Sequence, residues 1–289
     1  MQTLPTMDAP CALCGGDRAE PVWTTADRAF AVPGLHTVVR CRECGFLYQR
    51  PRVRDAHAGL LTRLRARRLL RRLRWSCPPW RGDGRYLDIG CGSGASLGVA
   101  QALGWRVAGI EMHTAAAEKA RRFTEEIYVG DVLSAPFGRA SFDVVTAFHV
   151  LEHVPDPVGV VRRMLEWLAA EGLVIVEVPN AGGLGARLFG RAWSGLELPR
   201  HLSHFTPETL ERTVRKAGGR VVWCWHQAKP RYYLWSLSHV LRDHGWDSLV
   251  RVVESRPVYG ALKLLLEVTL PLARRGRCGE VIRIGAMRV

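Results

Sequence analysis

Lysine is almost missing from this sequence: Lys119, Lys216, Lys229 and Lys263 are the only four in 289 residues. The formal net charge is nevertheless +14, so nearly all of the positive charge is arginine. A strongly basic balance points to nucleic acid, an anionic membrane surface or an anionic substrate. Arginines scattered along a chain form a solvated surface and point to none of these, and that reading comes first here. Long apolar runs are missing too. The longest, Val258 to Ala273, is cut by Lys263, Glu267 and Pro271, and falls short of the ~20 apolar residues that a spanning helix needs. No apolar stretch follows the N-terminus as a secretory signal would require. These absences predict a cytoplasmic protein with no transmembrane segment, and leave peripheral membrane contact open. The hydrophobic share of 47% is that of a globular protein. The length allows a full α/β core and a small second module.

Half of the eight cysteines are patterned. Cys11-x-x-Cys14 and Cys41-x-x-Cys44 form two knuckles, each followed by a glycine, Gly15 and Gly45. A C-x-x-C turn presents two thiolates to one ion, and two such turns complete a tetrahedral S₄ site. In a reducing compartment zinc is the expected occupant rather than disulfides. A closed Cys₄ site has no open position for catalysis, so the zinc would be structural. Residues 38–40 and 46–48 would flank the second knuckle as strands. Cys77, Cys91, Cys224 and Cys278 show no ligand spacing and read as buried free thiols.

The rest of the chain is organised around Tyr86-Leu87-Asp88-Ile89-Gly90-Cys91-Gly92-Ser93-Gly94. Arg85 to Ile89 predicts a short buried strand and Ala95 to Leu103 the helix that follows. Alternate glycines allow φ > 0 and a close ligand approach, and the free N–H groups of the next helix face the same space. Gly90-x-Gly92-x-x-Ala95 also satisfies the dinucleotide pattern. Asp88 argues against it, because a carboxylate there would repel a pyrophosphate and suits a cationic group.

Asp-x-Gly-x-Gly-x-Gly, at Asp88, Gly90, Gly92 and Gly94, resembles motif I of the class I S-adenosylmethionine-dependent methyltransferases. The resemblance covers about residues 85 to 225. It implies a doubly wound, mostly parallel seven-stranded α/β sheet of Rossmann-like type. It implies that Glu111, ending the second strand (Arg106 to Ile110) and followed by Met112, accepts the ribose hydroxyls. It places Asp131 and Val132, after the third strand (Ile127 to Gly130), against the adenine. The fourth strand, Phe142 to Phe148, ends at the cofactor mouth with Phe148. The segment Leu151-Glu152-His153-Val154-Pro155-Asp156-Pro157 after it is similar to that of methyltransferases acting on small molecules. The paired cysteines with Pro51-Arg52 resemble the N-terminus of some bacterial methyltransferases of sugar, glycan and natural-product pathways.

Beyond the motif, Val158 to Ala169 predicts a helix and Leu173 to Val178 the fifth strand. Asn180 to Ser203 reads as a glycine-rich loop for substrate contacts. Thr206 caps a helix with Pro207 in its first turn, Gly218-Gly219 stops it, and Arg220 to Trp225 is the sixth strand. Two capping helices are expected in the interruption before the last strand, Glu280 to Met287. The resulting plan is a zinc ribbon over 1–50, a basic amphipathic helix and linker over 51–84, the methyltransferase core over 85–229, a helical lid or interface over 230–279, and the last strand over 280–289. The helix at 60–75 carries six leucines and seven arginines.

Methyl transfer to a hydroxyl needs a base to remove its proton, and histidine suits that near neutral pH. His149, His153, His201 and His204 converge on the cofactor mouth, with His153 and His204 first. Ubiquinone-type O-methyltransferases and RNA 3′-end 2′-O-methyltransferases carry Glu-x-x-Glu-His at this point, in a setting linked to a divalent ion. Here His149 replaces the first Glu. The leading expectation is an O-methyltransferase of a sugar, glycan or secondary metabolite, using S-adenosylmethionine and a structural Zn²⁺, as monomer or homodimer. N- or C-methylation of a similar molecule is the alternative. An RNA 2′-O-methyltransferase, with nucleic acid as partner, is the runner-up. The fourth strand lacks the Asn/Asp-Pro-Pro-Tyr ending of enzymes that methylate base amines.

Overall fold

A seven-stranded sheet, a four-stranded sheet and a two-stranded ladder carry the architecture. The computed structural model describes residues 6–28, 32–53, 84–270 and 278–289. The basic helix expected at 60–75, its linker and Cys77 lie outside the described residues; of the other thiols read as buried, Cys91 is buried, whereas Cys278 is half-buried and Cys224 is exposed on a strand of the large sheet.

The N-terminal strands are β1 (Thr6–Met7), β2 (Ala19–Ala26), β3 (Leu35–Cys41), β4 (Leu47–Gln49) and β5 (Arg52–Val53). The methyltransferase-like strands are β6 (Arg85–Ile89), β7 (Arg106–Glu111), β8 (Ile127–Val129), β9 (Phe142–Phe148) and β10 (Leu168–Pro179). They are followed by β11 (Ser203–His204), β12 (Gly219–Gln227) and β13 (Val281–Arg288). The large sheet has the order β12-β13-β10-β9-β6-β7-β8. Its pairs are parallel from β8 to β10, and β13 enters antiparallel between β10 and β12. This is the doubly wound, mostly parallel seven-stranded sheet read from the sequence. Its central strands are buried on both faces, as crossover helices demand, and β6 and β9 read Arg-Tyr-Leu-Asp-Ile and Phe-Asp-Val-Val-Thr-Ala-Phe.

Local chemistry fixes the helix ends. Asp156 caps the helix Pro157–Trp167 by accepting from the Gly159 amide at 2.8 Å. Thr206 and Thr209 form a capping box on the helix Pro207–Lys216, which satisfies two otherwise orphaned amides. Gly218 ends it at φ 93°, a conformation that glycine takes without a Cβ penalty.

Three details differ from the sequence reading. The helix after β9 stops at Trp167 and the strand begins at once, because Leu168 pairs with Phe142 ahead of a bulge before Leu173. The expected loop over 180–203 contains the helix Leu184–Phe189 and ends in β11. Among its described residues the interruption after β12 holds three helices rather than two: Pro230–Asp243, Asp247–Glu254 and Arg256–Thr269.

β11 is the joint of the molecule. It adds to the N-terminal sheet, whose order is β11-β4-β3-β2, by pairing Ser203 with Tyr48 and His204 with Leu47. The helix Pro207–Lys216 then grips both knuckles: Arg212 donates to the Cys44 carbonyl and Lys216 to that of Leu13, each at 2.6 Å. Cys11, Cys44, Phe46 and Tyr48 share one apolar core with Leu87, Phe205, Leu210 and Ile284. Phe46 packs on Phe205 with ring centroids 5.4 Å apart.

Candidate active site

The glycine bend leaves β6 as the spacing predicts. Gly90, Gly92 and Gly94 have φ of 67°, 55° and 79°. A Cβ on Gly90 would meet Val150 at 2.7 Å, and one on Gly94 would meet Phe123 at 2.7 Å. A Cβ on Gly92 meets nothing within 4 Å. Gly90 and Gly94 are therefore glycine for packing as well as backbone reasons, whereas Gly92 opens onto the cleft. The amides of Gly90 and Cys91 bond to the Ile110 carbonyl at 2.8 and 3.0 Å, which pins the bend to β7. Gly94 heads the helix Ala95–Ala102 with no side-chain cap.

Two carboxylates stand in this bend. Glu111 is buried, and its oxygens accept from the Gly92 and His113 amides, both at 2.8 Å. Each oxygen keeps a further lone pair for a ligand hydroxyl. Asp88 is 3% exposed and accepts from Thr146 Oγ1 at 2.7 Å. Burial pushes the Asp88 carboxyl up to about 7, against the hydrogen bonds of Thr146 and Ser96, and the nearby Glu111 charge adds to the rise. Asp131 accepts from the Leu133 amide at 2.7 Å and opens a short turn with Val132 buried beneath it. Met112 is exposed, and Phe148 is half-buried with the Arg283 guanidinium 5.5 Å from its ring centre. All of these residues sit at or beyond the carboxyl ends of β6 to β9, where doubly wound sheets bind ligands.

The Asp88 shift gives a pH prediction. A ligand ammonium stabilises only the ionised carboxylate, so cofactor affinity should rise with pH through about 7. It should fall again above about 8, where an α-amino group loses its proton. Calorimetric titrations from pH 5.5 to 9 should trace a bell, and Asp88→Asn should remove its acid limb.

Each of the four histidines is held by a fixed partner. His149 follows β9 at φ 57°; its Nδ1 lies 3.0 Å from Glu152 Oε1 and its Nε2 3.2 Å from Glu177 Oε1. Burial opposes a charge there, but the two glutamates prevail and raise the His149 pKa. His153 Nδ1 lies 3.1 Å from the Arg200 carbonyl, His201 Nδ1 2.9 Å from that of Gly195, and His204 Nε2 3.1 Å from that of Leu196. A carbonyl only accepts, so each of these nitrogens carries the proton and the other ring nitrogen is the basic one in the neutral ring. The rings of His153, His201 and His204 stack edge-on with centroids 4.7 and 6.2 Å apart. His204 is the deepest, with burial pushing its pKa down to about 3. Glu152, His153 and His201 bring ligand atoms within 4.8 Å of one another, and Glu152 Oε2 is buried without a hydrogen-bond partner. The trio has the chemistry to bind a hydroxyl or a divalent cation.

Glu177 was not singled out in the sequence. Lys229 donates to its Oε1 at 2.7 Å and Arg283 Nε to its Oε2 at 2.9 Å. The two cations and His149 hold Glu177 well below the usual carboxylate range despite its burial. An acid inside the apolar run Val174-Ile175-Val176-Glu177-Val178 was the available signal.

In the N-terminal sheet, Cys11, Cys14, Cys41 and Cys44 place all four Sγ atoms within 4.8 Å of one another, with the Cys11–Cys44 and Cys14–Cys41 pairs at 3.5 Å. A tetrahedral ion with ~2.3 Å bonds to sulfur needs S···S edges of about 3.8 Å, so the set fits zinc. Burial pushes the Cys11 and Cys44 thiols up, and a cation is what would hold them as thiolates.

Sheet order, glycine bend and the acid ending β7 define a Rossmann-like cofactor-binding enzyme. The chain belongs to the methyltransferase-domain family, which it matches over residues 56–222. It is 32% identical over 167 residues to the ubiquinone biosynthesis O-methyltransferase of Thiobacillus denitrificans, spanning 51% of this chain and 69% of that one. Relatives of the same name from other bacteria are matched over 41–62% of their own length. Among solved structures, an S-adenosylmethionine-dependent methyltransferase from Mesorhizobium loti superposes with a TM-score of 0.51 at 17% identity, over 75% of this chain and 96% of that one. A geranyl diphosphate methyltransferase in complex with S-adenosylmethionine gives 0.51 at 18%, over 78% and 86%. At such identities these structures speak for the fold alone. The protein is an S-adenosylmethionine-dependent methyltransferase.

Proposed function

We propose that the protein methylates a hydroxyl of a small molecule, with His153 as the base. The observation that carries this is the trio of Glu152, His153 and His201 in the segments that follow β9 and precede β11, with the orphaned Glu152 Oε2 in it. The relatives named for ubiquinone biosynthesis point the same way, toward O-methylation of a small acceptor. A sugar, glycan or secondary metabolite suits the same site, and the chemistry alone leaves N- or C-methylation as the alternative.

In this reading the bound cofactor supplies a methyl group already activated on sulfonium. Glu111 holds the ribose hydroxyls, Asp131 and Val132 hold the adenine, and Asp88 attracts the ammonium. Phe148 and Met112 provide apolar walls. Glu152 and His201 would orient the acceptor hydroxyl, and His153 Nε2 would take its proton as the new C–O bond forms and the methyl carbon's bond to the sulfonium sulfur breaks, the electron pair leaving with the neutral thioether. His153 is pinned by Arg200, so its ring need not reorganise. His149, drawn toward its charged form, orients Glu152. His204 sits behind His201 and fixes its edge. The four cysteines hold one structural zinc in a ribbon built on β2, β3 and β4, and the helices Pro230–Asp243, Asp247–Glu254 and Arg256–Thr269 form a lid or an interface.

The test is methyl transfer from labelled S-adenosylmethionine to a panel of phenols, sugars and amines. His153→Gln should lower kcat on a hydroxyl acceptor by about 10²–10⁴, the range of general-base catalysis, with cofactor affinity unchanged. An unchanged kcat would remove His153 from the role. A divalent cation on Glu152, His153 and His201 is a second reading, favoured by their spacing. Activity indifferent to chelator and to added Mg²⁺ or Mn²⁺ would exclude it.

A further inference from the structure

We propose that the three-helix insertion after β12 is a docking surface for a bilayer that carries anionic lipid. Its inner side is ordinary core: Tyr232, Tyr233, Leu234 and Leu241 are buried, and the Ser194 amide and hydroxyl bond to Ser236 Oγ and the Tyr232 carbonyl at 2.9 and 3.1 Å. Its outer side is the reverse of a helix laid on a core. No residue from Arg256 to Glu267 is buried. Pro257, Ala261 and Leu264 are all exposed and follow one another at i, i+4 and i+7, which is one apolar stripe on a 3.6-residue helix. Lys263 and Glu267 pair with each other at 2.8 Å on another side. In the helix before it, Leu249 and Val252 are 47% and 52% exposed. Trp235 at 45% and Trp246 at 52% complete the set.

Charge selects the occupant. Three of the acids on these helices are spoken for: Asp243 pairs with Arg28, Glu254 with Arg242 and Glu267 with Lys263. Arg251 and Arg256 stand exposed, and the Arg231 guanidinium lies 5.6 Å from the Trp235 ring centre. A second copy would bring +14 against +14, whereas anionic headgroups attract such a surface. Indole rings prefer the headgroup level of a membrane. Among the described residues no helix is long and apolar enough to cross a membrane. The contact is therefore that of a surface helix whose apolar side chains dip into the headgroup boundary.

The experiment is flotation of the full chain with vesicles of phosphatidylcholine alone and of phosphatidylcholine mixed with phosphatidylglycerol, at low and high salt. The protein should float with the anionic vesicles, less so at high salt, and poorly with the neutral ones. The double variant Leu249→Glu, Leu264→Glu should lose about tenfold or more of that binding, with its unfolding temperature and S-adenosylmethionine affinity unchanged. Absence of flotation with the anionic vesicles would overturn the proposal, and so would flotation that the double variant leaves intact. A dimer in light scattering that the double variant dissolves would also overturn it, assigning the face to a second copy.

Discussion

Glu111→Gln should weaken S-adenosylmethionine binding by roughly two to three orders of magnitude. The carboxylate is already held by the Gly92 and His113 amides at 2.8 Å each, so it is oriented before any ligand arrives. Hydrogen bonds to a charged group contribute about 1.5–3 kcal/mol each, and two ribose hydroxyls share this one carboxylate in the proposed geometry. Glutamine keeps one acceptor oxygen and presents an NH₂ where the second was. That group faces an amide donor on one side and a ribose hydroxyl on the other. Thermal unfolding without cofactor separates loss of ligand contacts from loss of the loop: the variant should melt close to the wild type while its calorimetric affinity falls. Equal losses in both would make Glu111 a structural residue only.

Removing the zinc proposed for Cys11, Cys14, Cys41 and Cys44 should do the second-largest damage, and do it chiefly on the acceptor side. Structural zinc sites of this kind contribute folding energy outright. The knuckles are tied to the core by Arg212, Lys216 and the shared apolar cluster. The path to the acceptor site is short. Cys41 ends β3, β4 follows the second knuckle, and β11 pairs with β4. The Gln49 amide bonds to the Leu202 carbonyl at 2.9 Å, and the Leu202 amide to the Glu152 carbonyl at 2.7 Å. His201 and His204 flank that contact. Asp88 and Glu111, on β6 and β7, take their hydrogen bonds from Thr146, Gly92 and His113 and have no part in that chain of contacts. Chelation, or Cys44→Ser, should therefore lower the unfolding midpoint by about 10 °C or more. Acceptor turnover should be lost at temperatures where S-adenosylmethionine still binds. Metal analysis should give about one zinc per chain before treatment, the number a single S₄ site takes. A chain with no zinc and full turnover would contradict the assignment.

The glycine bend and the placement of the acids around it were legible because their signal is local. Asp88, the three glycines, Glu111 and Asp131 each stand at the end of a strand that the apolar pattern marks, and parallel strands bring successive strand ends to one edge. The cysteine knuckles were legible for the same reason. The acceptor half is built from residues far apart in sequence: His149 to His153, Glu177, Gly195 to His204 and Lys229. β11 is two residues long, and nothing in Ser203-His204 announces a strand. It exists because β4 offers an unpaired edge. Leu168 joins the strand rather than the helix for a similar reason, its pairing with Phe142. Glu177 reads as an exception in a buried strand until Lys229 and Arg283 are placed beside it, and only the fold does that.

The most direct test of the whole account is a pair of calorimetric titrations on the wild-type protein, one with S-adenosylmethionine and one with NAD. The account predicts saturable, one-to-one binding of the sulfonium compound in a cleft with Asp88 and Glu111 at its base, and no binding of the dinucleotide. Binding of NAD with indifference to S-adenosylmethionine would contradict it.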